Sequence, residues 1–349
     1  MSLVVLDAGP LTTVQDLGRA GQLRVGIPPS GPMDRDAFVL ANRLVGNPDG
    51  AAGLECTLMG PRLQLADARW VAVTGAEVPV TLDGAEMPRW ASFPVPAGGI
   101  VKLGAARAGV RAYLAVSGGL ATPLVLGSRA TYLRGALGGL SGRALRKDDV
   151  LPLGVPAGRA AERRVRAERI PTHGGEPAIA TILGPQADRF TPAGIAALFE
   201  GPYEMLPQSD RMGARFKGPR IEHTRGHDII SDGIALGAIQ VIGDGQPIVL
   251  LVDRQTAGGY TKIGAVCSYE IGRVGQMKPG QKLRFKQVEV LEAHAVLAAR
   301  RAALESAIAE PVTGRLHHDA RIRHPRLSGQ DAPLPPALRG RPACHARRE

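Results

Sequence analysis

Five polar side chains with complementary chemistry crowd one short stretch: Asp253, Gln255, Thr256, Tyr260 and Lys262, set around Gly258 and Gly259. They follow directly on an apolar run, Pro247-Ile248-Val249-Leu250-Leu251-Val252. A strand ending this way puts a carboxylate, an amide, hydroxyls and an ammonium beside free backbone N–H groups. That mixture suits polarisation of a small carbonyl substrate. It also fits a capped glycine loop on a barrel rim. A second stretch, Pro28-Pro29-Ser30-Gly31-Pro32-Met33-Asp34, stands just before a helical segment. Its N–H groups can hold an anion or oxyanion, or Asp34 and Asp36 can serve as ordinary capping acids. A third, residues 9–21, carries Thr12, Thr13, Gln15, Asp16 and Arg19 between glycines.

Other motifs are weaker. There is no G-x-x-x-x-G-K-[ST] phosphate loop and no G-x-S-x-G nucleophile elbow. Gly243 and Gly245 form a G-x-G, but between two strand-like runs rather than ahead of a helix, which argues against a dinucleotide site. His223 and His227 are spaced i,i+4, yet Gly226 lies between them and no acidic third ligand is at hand, so a polar loop is expected and no metal. His317, His318, His324, Cys344 and His345 lack ligand spacing. Gln276-Met277-Lys278-Pro279-Gly280 is superficially like a biotin attachment site, but Pro279 replaces the second methionine. We read it as a turn, so any biotin has to arrive on another protein.

The elements that must position these groups read mainly as strands. Residues 3–6, 69–75, 78–84, 99–104 and 111–116 are short apolar or alternating runs separated by glycine and proline, and Asp83-Gly84 is a hairpin signal. One helix interrupts them: Met33, Ala37, Leu40, Ala41, Leu44 and Val45 recur at helical spacing, and Gly46-Asn47-Pro48 stops it. Strand text resumes at 178–183, and 238–242 with 247–252 flank a glycine turn as a hairpin. Residues 288–309 are alanine-rich and helical in pattern. Gly60-Pro61-Arg62-Leu63 is echoed by Gly218-Pro219-Arg220-Ile221. Closely spaced strands without long intervening helices predict antiparallel barrels or sandwiches rather than a layered parallel sheet.

Size and composition agree. The chain has 349 residues, 44% hydrophobic and 21% charged, which suits two lobes with cores of their own. Aromatics are only 4%, too few for a base-stacking platform, so nucleic acid is not an expected partner. Net charge is +11 and is uneven: residues 311–349 hold eight arginines against three acids, and 143–169 is a second basic stretch. We expect a first lobe over 1–150, a basic linker over 151–175, a second lobe over 176–310 and a disordered basic tail over 311–349. Three cysteines without C-x-x-C fit a reducing, cytoplasmic compartment. Asp7 follows too soon for a secretory signal, and no apolar run approaches membrane length.

The polar stretches together resemble one family, the carboxyltransferase-domain proteins known as allophanate hydrolase subunit 2, KipI antagonist or the C subunit of 5-oxoprolinase. The matching text is Thr12-Thr13-Val14-Gln15-Asp16-Leu17-Gly18-Arg19, Ser30-Gly31-Pro32-Met33-Asp34, Ala41-Asn42-Arg43-Leu44-Val45-Gly46-Asn47, Leu54-Glu55 and Gly60-Pro61. In the second half it is Arg211-Met212-Gly213, Asp228-Ile229-Ile230-Ser231-Asp232-Gly233, Gly237-Ala238-Ile239-Gln240-Val241 and Asp253-Arg254-Gln255-Thr256-Ala257-Gly258-Gly259-Tyr260. It runs in order from about residue 5 to residue 290. The chain departs from the usual pattern at Thr261, where proline is common, at Ala257 for threonine, Asp232 for glutamate and Ile242-Gly243 for Val-Pro.

The resemblance implies a mainly β fold with a few helices, in two cyclophilin-like β-barrel lobes. It implies an enzyme component that acts with ATP in a complex to open the lactam of 5-oxoproline to glutamate. The partners would be the complementary carboxyltransferase half (the KipI-like B subunit of 5-oxoprolinase) and a LamB/YcsF-like protein, its A subunit. The alternatives are a urea carboxylase-like carboxyltransferase using carboxybiotin on a separate carrier, and a regulatory antagonist of a kinase inhibitor. From residue chemistry we expect Asp253, Gln255, Thr256 and Lys262 to line the reactive pocket, with Lys262 as electrostatic stabiliser. Gln15, Asp16, Arg19, Ser30, Asp34 and Asn42 would form the facing wall, Arg19 gripping a substrate carboxylate as a fork, with Gln240 and Tyr260 beside the rim. Both sets should meet around a shared hollow.

Overall fold

Alternation decides the first half. Strands Ser2–Asp7 and Arg62–Leu65 bury every second residue, Leu3 and Val5 from one, Leu63 and Leu65 from the other. They belong to a six-stranded antiparallel sheet ordered Val150–Pro152, Ser2–Asp7, Arg62–Leu65, Ile100–Leu103, Val80–Leu82, Ala85–Glu86. A five-stranded antiparallel sheet faces it, ordered Leu11–Gln15, Gly53–Thr57, Ala108–Val116, Arg69–Glu77, Ser92–Val95. Their inner faces share one core, with Leu3, Val5, Leu63 and Val101 meeting Val14, Leu54, Val71, Val73, Phe93 and Leu114. Helix α1 (Arg35–Leu44) covers the other face of the five-stranded sheet, so Ala108–Val116 is buried along nearly its whole length. This computed structural model describes residues 1–157 and 161–309; the expected tail over 311–349 lies outside them.

The second half closes. Seven strands form a barrel in the order Ala178–Leu183, Lys262–Val266, Ala238–Val241, Pro247–Leu250, Gly213–Lys217, Tyr203–Met205, Lys282–Gln287. The seam is a parallel pairing of the last strand with the first, Ala178 opposite Arg284. Ile179, Tyr203, Phe216, Ile239, Val249, Ile263 and Phe285 fill it. Outside the barrel, Asp228–Gly233 pairs with Ala257–Tyr260 as a two-stranded arm. Helix α2 (Pro192–Glu200) is capped by Thr191, whose hydroxyl accepts from Gly194 N at 2.9 Å.

Three features join the lobes. Met33, from the turn before α1, is buried inside the second barrel's core. Short helix α3 (Ile271–Gly275) receives it: a Cβ on Gly275 would lie 2.2 Å from Met33 Cγ, so any larger residue would have to displace Met33. Helix α4 (Val290–Glu305) then returns to the first lobe, where Leu304 and Ala307 pack with α1 and Arg43 Nη1 donates to Leu304 O at 3.1 Å. Strand Arg164–Val165 pairs there with Ile308–Ala309.

Three local expectations change. Pairing of the first lobe runs past residue 150, to Pro152 opposite Ser2. Residues 164–170 are not bare linker, because Val165 and Ile170 complete the core around α1. The echoed tetrapeptides are not equivalent: Arg62 opens a strand, whereas Gly218 follows the end of one. Each buries its last residue, Leu63 or Ile221, which is what they share. No helix among the described residues is long and apolar enough to cross a membrane.

Candidate active site

Five of the expected residues gather where the lobes touch. The 28–34 turn lies against the barrel rim, with Ser30 N donating to Val252 O at 3.3 Å. Ser30 itself is left-handed at φ 57° and Gly31 follows at φ 88°. Strain of this kind costs about 1 kcal/mol or more for a non-glycine residue and persists only where the surroundings enforce it. A Cβ on Gly31 would meet the backbone of residues 16–18 at 3.2 Å, which pins the turn to the first polar stretch. Arg19 N donates to Pro29 O at 2.8 Å and completes that contact.

Within this seam Asp16 is fully engaged. One oxygen accepts from Gly18 N at 2.9 Å and Ser128 Oγ at 2.5 Å, the other from Arg129 N at 2.5 Å. Its role is to staple the 128–131 loop. Gln15 Nε2 reaches Thr13 Oγ1 at 3.0 Å and Thr131 O at 3.3 Å, leaving Oε1 buried without a partner. Arg19 is only 1% exposed. Its Nη2 donates to Ala130 O, while Nε and Nη1 are buried with no acceptor. Burial pushes its pKa down, and the carboxylates of Asp16 and Asp253 act the other way. Ser30 Oγ is unpartnered too. Buried donors without acceptors are rare and costly, which makes Arg19 a candidate to meet an acceptor.

A second cluster lies further along the same rim. Gln255 Nε2 meets Gln240 Oε1 at 3.4 Å, leaving Gln255 Oε1 and Gln240 Nε2 unpaired. Lys262 Nζ makes no hydrogen bond and faces Asp232 of the arm at 3.5 Å. Its backbone N–H donates to Gln186 Oε1 at 2.9 Å. Thr256 O accepts from Ile234 N at 3.0 Å and anchors the arm's base.

Three expected residues have other partners or surroundings. Asn42 is spent on the end of α1, donating to Ala51 O at 2.8 Å and accepting from Asn47 Nδ2 at 3.0 Å. Asp34 is the N-cap of α1, accepting from Ala37 N at 3.2 Å; of the two readings open for this turn, the structure shows the cap. Tyr260 is 41% exposed on the arm, its ring 5.8 Å from that of His227. His223 and His227 lie in a loop, His223 Nε2 at 3.0 Å from Thr261 Oγ1. Thr261 N also donates to His227 O at 3.0 Å, a bond that a proline at this position could not make. The expected hollow is a packed polar seam: Asp16, Arg19, Ser30 and Asp253 are each under 9% exposed. An open groove lies elsewhere, lined by Arg62, Thr81, Asp83, Ile100 and Lys102 on the six-stranded sheet.

The seam holds residues to which sequence reasoning gave no role. Arg211 is buried between the lobes: Nε donates to Asp253 Oδ2 at 2.8 Å, Nη2 to Gly31 O at 2.7 Å, and Nη1 to Glu55 Oε1. Glu55 Oε2 also accepts from Met33 N at 2.8 Å and Tyr113 Oη at 2.9 Å. Burial alone would raise the Glu55 carboxyl, but Arg211 and then Arg111 hold it below the usual carboxylate value. Burial drives the Tyr113 hydroxyl well above its ordinary 10.0, and the neighbouring carboxylates of Glu55 and Asp34 add to this. Gln276, expected in a plain turn, spends all four hydrogen bonds on the junction: Val110 N, Arg111 N, Arg111 O and Asp34 Oδ2, at 2.9–3.0 Å. The signal for Glu55 and Arg211 was that both stand in text matching the family, Leu54-Glu55 and Arg211-Met212-Gly213; Gln276 had none.

Among the described residues no group of three or more His, Cys, Asp or Glu could hold a metal ion. Cys56 and Cys267 are buried free thiols, and burial lifts the Cys56 thiol to about 12, so neither is a nucleophile.

The family model for "Carboxyltransferase domain, subdomain A and B" matches residues 25–287. The chain is 35% identical over 291 residues to the C subunit of the 5-oxoprolinase of Escherichia coli (strain K12), covering 83% of this chain and 93% of that one. It is 35% identical over 298 residues to urea amidolyase of Saccharomyces cerevisiae, covering 79% of this chain but 16% of that protein. Of solved structures, Kluyveromyces lactis urea carboxylase superposes with a TM-score of 0.82 at 31% identity, over 90% of this chain and 31% of that one. The chain thus spans nearly all of one kind of relative and a minor part of the other.

Proposed function

The chain belongs to the carboxyltransferase-domain family, subdomains A and B, and from that membership we propose that it is one component of a 5-oxoprolinase-like complex. The complex opens the lactam of 5-oxoproline to glutamate: the ring C–N bond breaks, water supplies hydroxyl to the carbonyl carbon and hydrogen to nitrogen, and ATP hydrolysis drives the step. One observation carries the choice of substrate. Arg19 is a buried guanidinium with two unpaired donor nitrogens beside the Asp253 rim. 5-Oxoproline carries a carboxylate, an acceptor that one of these donors can meet; urea carries none. In this reading Lys262 stabilises charge on the lactam oxygen, Gln255 and Gln240 offer amide partners, Thr256 holds the rim, and Asp253 accepts the ring N–H.

ATP is assigned to the complex as a whole, and no step is derived through it here. The partners that fit are the complementary carboxyltransferase half, a KipI-like B subunit of 5-oxoprolinase, and a LamB/YcsF-like protein as the A subunit. The likeness to urea carboxylase supports the alternative, transfer from carboxybiotin on a separate carrier. Co-expression with the products of neighbouring genes, then assay on 5-oxoproline with and without ATP, separates them. ATP-dependent glutamate release is expected, reduced about 10²–10³-fold by Lys262→Ala. Unchanged turnover with both Asp253→Ala and Lys262→Ala would discard the site, and avidin-sensitive, bicarbonate-dependent activity would favour the alternative.

A further inference from the structure

Asp253 does not hold its own position. It sits on a rim that leaves a barrel strand, and both its oxygens face one guanidinium: Arg211 Nε at 2.8 Å and Nη2 at 3.3 Å. Arg211 N–H groups reach three separate parts of the chain, namely Asp253, Gly31 O in the strained 28–34 turn, and Glu55 on strand Gly53–Thr57. Glu55 is 1% exposed and is fixed in turn by Met33 N and Tyr113 Oη, whose own oxygen accepts from Asp34 N at 2.8 Å. The backbone closes the loop, because Asp253 N donates to Arg211 O at 3.0 Å. Two carboxylates from different lobes therefore share one buried cation, and each lobe sets the geometry of the other's contribution.

We propose that Glu55 and Arg211 are positioning residues for the reaction: Glu55 orients Arg211, and Arg211 aims the Asp253 carboxylate and fixes the 28–34 turn against it. The inference rests on the reading of Asp253 as a reacting group. Arg211 touches no substrate; it acts through Asp253. A fork is required because lysine carries one donor centre and cannot hold both oxygens and Gly31 O together. The energetic logic is one-sided: the triad adds little net stability, but removing Arg211 leaves the buried Asp253 carboxylate without its cation.

The test is a kinetic cycle in the reconstituted complex, Arg211→Lys against Asp253→Asn, with kcat and KM for 5-oxoproline measured separately. Arg211→Lys is expected to lower kcat by about 10²-fold, the scale of a small misplacement, with KM within about twofold because Arg19 is untouched. In the Asp253→Asn background the same substitution should have little further effect. Equal losses in both backgrounds, or unchanged kcat, would overturn the proposal. A wild-type complex inactive on 5-oxoproline would instead refute the proposed function. The proposal is then judged on the crystal structure of Arg211→Lys, where a displaced Asp253 carboxylate supports it and an unmoved one overturns it. If that variant does not fold, Glu55→Gln, which keeps the Arg211–Asp253 pair, replaces it in both measurements, with the same expected and contrary results.

Discussion

Glu55 accepts from Met33 N, Tyr113 Oη and Arg211 Nη1, and it does so as a buried anion. Its carboxyl is held below its ordinary 4.5 despite burial, so the folded state binds that proton less readily than the unfolded chain. The stability it supplies is therefore complete above about pH 4.5 and is lost as pH falls through the depressed value. Tm measured from about pH 6 down to pH 3 should fall steeply for wild type and more gently for Glu55→Gln; parallel curves would contradict this. Glu55 and Arg211 were both visible in the sequence as family text, yet neither had a role. Their meaning is pairwise, and the two are 156 residues apart. The placing of Asp253, Arg19 and Lys262 on the seam and its rim was legible because each stands in a polar, glycine-rich stretch that no plain strand needs. Asn42 and Asp34 stood in similar text but serve the ends of α1, since capping and binding draw on the same residue types.

Among the elements, strands with one buried face announced themselves by alternation, as Ser2–Asp7 does. Ala108–Val116, buried on both faces, still read as apolar text. The return of the chain over 164–170 and α4 onto the first lobe was not legible, because those side chains make sense only against α1. The contact between α3 and the 28–34 turn was hidden for the same reason. Gly275 is small because Met33 crosses the lobe boundary there. Gly275→Ala should cost about 1–3 kcal/mol of stability, read by chemical denaturation, since the neighbour to be displaced is a tightly packed core side chain. A neutral result would mean that Met33 is not the plug between lobes that its burial indicates.

Across the whole molecule, the two lobes do different work. The first, two sheets and a helix, presents Gln15, Arg19 and Ser30; the closed barrel presents Asp253, Gln240, Gln255 and Lys262. The seam between them leaves buried donors unpaired on Arg19 while every hydrogen-bonding group of Gln276, close by in the same junction, is satisfied. The function proposed above seats the substrate's carboxylate at Arg19. The most direct test compares 5-oxoproline with 2-pyrrolidinone, the same lactam without its carboxylate, in the reconstituted complex with ATP. Arg19→Gln should lower kcat/KM for 5-oxoproline by about 10–100-fold, the worth of a charged hydrogen-bonded pair, and change it by less than about threefold for 2-pyrrolidinone. Equal losses on both lactams would show that Arg19 does not read the carboxylate, and the account of the seam as the substrate site would fail.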